Sequence, residues 1–285
     1  MFTVQDHVLQ LLTEDPTRKP LSFVFSPNYT KAPSISPSLL VVHYTAGGPA
    51  ATTAAWCHNP DSQVSYHLII DRDGSVIQLV PFNKAAWHAG RSYFNGQDEL
   101  NHHSIGVALA NWGPLKRHAD GTFWAWPSDW SLQVSPHITP QLLAHKHDKA
   151  NAMFWDPYTP AQIQTLSLLV PALTRAYNLT WIVGHDDIAP GRKQDPGPAF
   201  LPLPVNIRAD LSSPLVQRLH PPHQYASSLH YWMCSVCPDL PCILCSRIAE
   251  GTQPPSPAVC PLYADGRATD WEPIDDADAK EYMNL

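Results

Sequence analysis

The sequence predicts an α/β fold: one domain on a central β-sheet with flanking helices, followed by a small Cys- and Pro-rich appendage. Three observations carry that reading. Four apolar runs rich in β-branched residues, LLVVHYTAG (39–47), YHLIIDRDGSVIQLVP (66–81), SIGVALANWG (104–113) and TWIVGH (180–185), suit buried strands. One long segment, TPAQIQTLSLLVPALTRAYN (159–178), carries apolar residues at helical spacing. Beyond about residue 213 the composition turns Cys- and Pro-rich. The expected division is an extension over 1–24, the main domain over 25–212 and the appendage over 213–285.

Taken in order, residues 1–35 read as a short helix and then a Pro- and Ser-rich lead-in, SPNYTKAPSISPS. The 39–47 run ends at Gly47, as a buried strand entering a loop would. The 66–81 segment is two apolar stretches about Asp73-Gly74, a strong hairpin signal. Residues 114–158 show weak periodicity and read as a long decorated loop, with one short helix near 139–152. In the 159–178 segment Thr159 suits the N-cap and Pro160 the first helical position. Ile163, Leu166, Leu169, Leu173 and Ala176 share one face, Pro171 removes a backbone bond, and Asn178 ends the helix.

Composition narrows the function. Charged residues are 15% of the chain, below the roughly 25% of an average protein, and the net charge is −7. A nucleic-acid partner held by bulk charge is excluded, because that needs a basic face. No apolar run reaches the roughly 18 residues of a membrane span. Asp6, His7 and Glu14 interrupt the apolar core that a secretory signal would need. The expectation is a protein without a classical signal, either cytoplasmic or delivered to the cell wall by lysis or a specialised secretion route.

Against this low charge density, GHDDIAPGRKQDPGP (184–198) crowds one His, three Asp, one Lys and one Arg into fifteen residues. His43 closes the first buried strand and His185 the last, and Asp195 follows ten residues later. Two His and one carboxylate, with a fourth position left to water, is a catalytic zinc pattern. Strand ends suit such ligands, because a sheet fixes their spacing.

LLVVHYTAG, YHLIIDRDGSVIQLVPFNKAAWHAG, SIGVALANWG and GHDDIAPGRKQDPGPAF occur in this order and cover about 39–200. Together they resemble the zinc-dependent N-acetylmuramoyl-L-alanine amidases, the type-2 amidase family that includes phage amidase lysozymes and peptidoglycan recognition proteins. The resemblance implies a mixed sheet with flanking helices and a groove over it. It implies zinc (Zn2+) held by His43, His185 and Asp195, and peptidoglycan or a muropeptide as substrate. It also implies that Lys193 points at the substrate carbonyl, where a fixed cation stabilises the oxyanion of amide hydrolysis. Asp186 and Asp187 either orient His185 or bond the backbone.

One position breaks the pattern. Family members carry a glutamate in the SIG strand, which activates the water nucleophile as general base. Here that position is Ala108, and losing a general base typically costs about 10²–10⁴ in rate. Three readings stand. Ala108 is an engineered silencing substitution; or another residue is the base, with His67, Glu99, Asp186 and Asp187 as candidates; or the chain is a non-catalytic peptidoglycan-binding module. Polar neighbours in the groove are expected to leave room for a glutamate.

WHAGRSYFNGQDELNHHS (87–104) resembles the loop lining the family's groove. Trp87 is read as a groove wall or a buried loop anchor, and His88 as a ligand-orienting or substrate contact. His67 either touches substrate or fills space. Trp112, Trp124, Trp126 and Trp130 either stack on sugar rings or form an apolar patch. In the appendage Cys234, Cys237, Cys242 and Cys245 form two C-x₂-C pairs. These fit a structural zinc site, two disulfides in an oxidising compartment, or free thiols. Cys57 and Cys260 have no evident partner. A recycling enzyme, a phage lysin and an injected toxin all fit the absent signal, and a toxin would come with an immunity protein. A lysin often adds a basic wall-binding segment, and none is evident.

Overall fold

The computed structural model describes residues 2–11, 21–125, 132–201 and 203–207, and the backbone of 231–234 and 271–274. The chain divides into two units, 1–205 and 206–285.

The chain begins as a hairpin, β1 (Phe2–Gln5) with β2 (Val8–Leu11), where a helix is expected. Its turn residues Asp6 and His7 both have positive φ. Such a turn favours Asn-Gly or Asp-Gly, so Asp-His gave no hairpin signal.

The central sheet draws on β3 (Leu21–Phe23), β4 (Leu39–Tyr44), β5 (Leu68–Ile70), β6 (Val76–Gln78), β7 (Ser104–Leu109), β13 (Trp181–Gly184) and β14 (Val205–Asn206). Its order is β14-β13-β4-β7-β5-β6-β3. β13, β4, β7 and β5 are mutually parallel, β6 runs antiparallel to β5, and β3 runs parallel to β6. The sheet is therefore mixed. All six residues of β7 and the first five of β4 are buried. Continuous apolar runs are what a sheet covered on both faces requires.

Two helices flank it. α1 (Ala50–His58) buries Ala50, Ala54 and Cys57. α2 (Pro160–Tyr177) has a complete capping box: Thr159 accepts from the Gln162 backbone and the Gln162 side chain accepts from the Thr159 N–H. α2 continues through Pro171, and Asn178 closes it in the left-handed conformation. Ile163, Leu166, Leu169 and Leu173 face the core as expected, while Ala176 is exposed. The β5–β6 turn brings Gly74 (φ +86°) against α2, where a Cβ would lie 2.8 Å from Thr165 Oγ1. Only glycine suits that conformation and that approach.

The 114–158 stretch is not a loop. It holds β8 (Pro114–Arg117), β9 (Phe123–Ala125), β10 (Leu132–Gln133), β11 (Gln141–His145) and β12 (Asp148–Trp155). They form an antiparallel sheet of order β10-β9-β8-β12-β11 over a core of Leu115, Ala125 and Val134. The helix expected near 139–152 is the β11–β12 hairpin. Trp112 packs against this core and half-buried Trp124 stacks on His118. Trp126 and Trp130 lie outside the described residues.

In the second unit, Tyr231–Cys234 pairs antiparallel with Trp271–Ile274. Cys237, Cys242, Cys245 and Cys260 lie outside the described residues, as does the Cys234 side chain. Among the described residues no helix is long and apolar enough to cross a membrane.

Candidate metal centre and active site

The parallel pairing of β13 with β4 sets Gly184 opposite Val42. The next residues, His185 and His43, therefore emerge side by side at the sheet's end. His185 opens the short α3 (His185–Ile188), and the chain then folds back. The backbone N–H groups of Arg192 and Lys193 both donate to the Ala189 carbonyl, and the Asp186 N–H donates to the Asp195 carbonyl at 2.8 Å. This return carries the Asp195 carboxylate to the two imidazoles.

His43 Nδ1 lies 3.0 Å from His185 Nδ1 and 2.9 Å from Asp195 Oδ2, and His185 Nδ1 lies 3.0 Å from the same oxygen. All three residues are buried. The network behind them fixes their tautomers. Ser104 Oγ donates to the Leu100 carbonyl at 2.5 Å, which leaves its oxygen to accept from His88 Nε2 at 3.3 Å. His88 Nδ1 then accepts from His43 Nε2 at 3.0 Å. His185 Nε2 donates to the Ala89 carbonyl at 3.1 Å. Both Nδ1 atoms thus carry bare lone pairs, directed with Asp195 Oδ2 at one point. Three converging lone pairs of N, N and O type are a donor set that a divalent cation satisfies. These three are the metal-capable cluster among the described residues.

The electrostatics agree. Burial, then the neighbouring His185, lowers the His43 pKa to about 4, so the ring is neutral at pH 7. A metal ligand must be neutral in this way. Burial, followed by His43, also pushes His88 well down.

One loop orients both histidines: His88 through its side chain, Ala89 through its carbonyl. Asn101 Oδ1 accepts from both backbone N–H groups, at 3.0 and 2.8 Å. Arg192 Nη2 donates to the Ala89 and Arg91 carbonyls. Gly106 leaves space for His88, since a Cβ there would lie 2.5 Å from the imidazole.

The other expected site residues separate. His88 is buried against His43 and accepts from its Nε2. His67 is 0% exposed, accepts from the Gly106 N–H through Nδ1 and donates through Nε2 to the Lys84 carbonyl. Both of its nitrogens are thus used inside the core. Half-buried Trp87 donates from Nε1 to Thr30 Oγ1, which anchors its loop. Lys193 is exposed, and its charge contributes to the lowered His43 pKa.

Ala108 pairs in register with His43 across the parallel β7–β4 ladder, on the same face. It is 0% exposed, among Ala50, Ala54, Cys57, Ile69, Leu79 and Val80. Tyr66 packs against the same cluster, and α1 covers this part of the sheet with small apolar side chains. The alternative bases are engaged elsewhere. Asp187 Oδ2 accepts from the Gly184 N–H, and Asp186 faces His145 and Lys146. Glu99 lines a cleft with Gly90, Arg91, Ser92, Asp98, Asn101 and His102, none of which is a candidate ligand.

Three tyrosines were missed in the sequence. The Tyr66 ring sits 5.2 Å from that of His43. Tyr158 donates to the Pro196 carbonyl at 2.8 Å. Burial first, and then negative charge that includes Asp195, raises the pKa of Tyr44, Tyr66 and Tyr158. All three phenols stay protonated at neutral pH.

Comparison with known proteins gives the family. Residues 33–198 match the family model described as N-acetylmuramoyl-L-alanine amidase. The chain is 33% identical over 198 residues to the 1,6-anhydro-N-acetylmuramyl-L-alanine amidase AmpD of Escherichia coli K12, covering 61% of this chain and 84% of that protein. It is 32% identical over 171 residues to the N-acetylmuramoyl-L-alanine amidase AmiD of the same organism, covering 57% of this chain and 49% of AmiD. Among solved structures, a selenomethionine AmpD derivative aligns with 29% identity and a TM-score of 0.41, over 67% of this chain and 94% of that one. With the match spanning the strands and loops that carry the His-His-Asp cluster, the chain belongs to the N-acetylmuramoyl-L-alanine amidase family of hydrolases.

Proposed function

We propose that this chain is a zinc-dependent amidase that hydrolyses the bond between N-acetylmuramic acid and L-alanine, working without the usual carboxylate base. His43, His185 and Asp195 hold the metal. The observation that carries this is the meeting of two Nδ1 lone pairs and one carboxylate oxygen within 3.0 Å. When bound, zinc supplies Lewis acidity, polarising the amide carbonyl and making water a nucleophile near neutral pH.

The chain's own groups do the rest. Lys193, two residues before Asp195, offers a fixed cation to the oxyanion that develops on the carbonyl. Tyr44, Tyr66 and Tyr158 are neutral and act as hydrogen-bond donors, not as proton acceptors. Ala108 moves no proton, so turnover is slower by about 10²–10⁴ than with a glutamate there. The name of the AmpD relatives supports an anhydro-muropeptide as the first substrate to try.

Metal analysis and anhydro-muropeptide hydrolysis test this together. The expected result is bound zinc, lost with His43→Ala plus Asp195→Ala. Ala108→Glu should raise kcat by about 10²–10⁴ with little change in KM, because a base acts in the transition state. Undiminished zinc in the double variant sinks the metal assignment. A fast Ala108 enzyme that slows with glutamate sinks the missing-base assignment. If both forms bind muropeptide and neither cleaves it, the chain is a binding module, which the closed apolar setting of Ala108 favours as second reading.

A further inference from the structure

Two of the three candidate ligands sit at the ends of one irregular segment, His185 to Asp195, in which only the four-residue α3 is regular. Something must hold those ends together, since misplacement of a ligand by even about 0.5 Å degrades a metal site. The sheet fixes His185 through β13. Asp195 has no strand beneath it.

The β11–β12 hairpin supplies the second support. Its tip residue His145 is buried and stacks at 6.0 Å on Trp155 at the end of β12. His145 Nδ1 accepts from the His147 N–H at 3.2 Å, which puts the ring proton on Nε2. That nitrogen donates to the Gln194 carbonyl at 3.1 Å and lies 3.0 Å from Asp186 Oδ2. Asp186 directly follows His185, and Gln194 directly precedes Asp195. One imidazole thus bridges the neighbours of two ligands.

Lys146 adds charge to the same grip. Its Nζ lies 3.0 Å from Asp186 Oδ1 and 2.6 Å from Asp187 Oδ1. Asp186 is 2% exposed, and the Lys146 ammonium beside its Oδ1 compensates the buried carboxylate. The fit is close at both ends of the segment. A Cβ on Gly184 would lie 2.1 Å from Asp186 Oδ1, and one on Gly197 would lie 2.6 Å from the Trp155 ring.

We propose that His145 and Lys146 are positioning residues for the metal centre, with the hairpin tip acting as a clamp that sets metal affinity by holding the His185–Asp195 segment closed. This rests on the zinc reading above. The inserted sheet is then part of the metal site's support.

Chelator competition on the full-length zinc-loaded chain tests it, with melting of the zinc-free chain measured alongside. His145→Ala and Lys146→Met should each weaken zinc binding about 10–100-fold, the usual effect of losing a partner behind the ligands. His145→Gln and Lys146→Arg, which keep an N–H donor and a cation, should recover much of the affinity. Lys149→Ala, on exposed β12, should leave it unchanged. If His145→Ala does not fold, Lys146→Met decides, because its side chain lies partly in solvent. Folded variants with lower melting temperatures but zinc affinity within about twofold of the parent would overturn the clamp. A parent chain that binds no zinc would instead overturn the metal assignment itself.

Discussion

The residue that does most with least is Gly106. Its missing Cβ is the space in which His88 stands, and His88 sets the tautomer that leaves His43 Nδ1 bare. Gly106→Ala should therefore push His88 off His43. Zinc affinity, read by chelator competition, should fall about tenfold or more, as for loss of an outer partner. Folding stability should fall by about 1–3 kcal/mol, the usual cost of overpacking. The meeting of His43, His185 and Asp195 was legible in the sequence from strand ends, a loop of unusual charge density and the family resemblance. The orienting groups were less so. His67 and His88 look alike as letters, and only packing shows that one bonds within the core and the other bonds His43. The Ala89 carbonyl, which fixes His185, leaves no trace in a sequence because every residue has one.

Among elements, α2 was readable to the residue and the 114–158 sheet not at all. α2 announces itself through Thr159, Pro160 and Asn178, each doing the job its chemistry favours, and Gln162 completes the capping box. Thr159 Oγ1 also donates to the Arg72 carbonyl at 2.6 Å, tying the cap to the β5–β6 turn. Thr159→Ala should cost about 1–2 kcal/mol in urea unfolding, at the upper end for an N-cap. The β11–β12 hairpin hid for a physical reason. Six of the eight β12 residues are exposed, on both faces of the strand. A strand that buries neither face has no period-two alternation to read. Its end residues, His145 and Trp155, are buried, but two buried positions do not make a pattern.

For the whole molecule, the buried histidines set the response to acid. Burial lowers His43 and His67 to about 4, and His88 well below its ordinary value. Each folded-state pKa lies below the unfolded value of about 6.5, so the unfolded chain binds more protons as pH falls. The stability they contribute is complete above about pH 6.5 and is lost as pH falls toward 4. His67 alone accounts for on the order of 3 kcal/mol of this. Its protonation would set a new N–H against the Gly106 N–H that it now accepts. Urea unfolding of the zinc-free protein at pH 7 and pH 5 should show the drop, and His67→Gln should show a smaller one. A flat profile would mean that these rings take up protons when folded just as they do in the unfolded chain.

The wide separation of the ligands along the chain also bears on synthesis. His43 and His185 are 142 residues apart, and Asp195 is ten further on. At about 5–20 residues per second, a ribosome needs roughly 7–30 s between making the first imidazole and the last carboxylate. Through that interval His43 waits on a strand whose β13 neighbour has not yet emerged, and any metal it meets finds one ligand only. Under the metal reading proposed above, the donor set is complete only once Asp195 has emerged, and a product truncated before Asp195 leaves the ribosome without it.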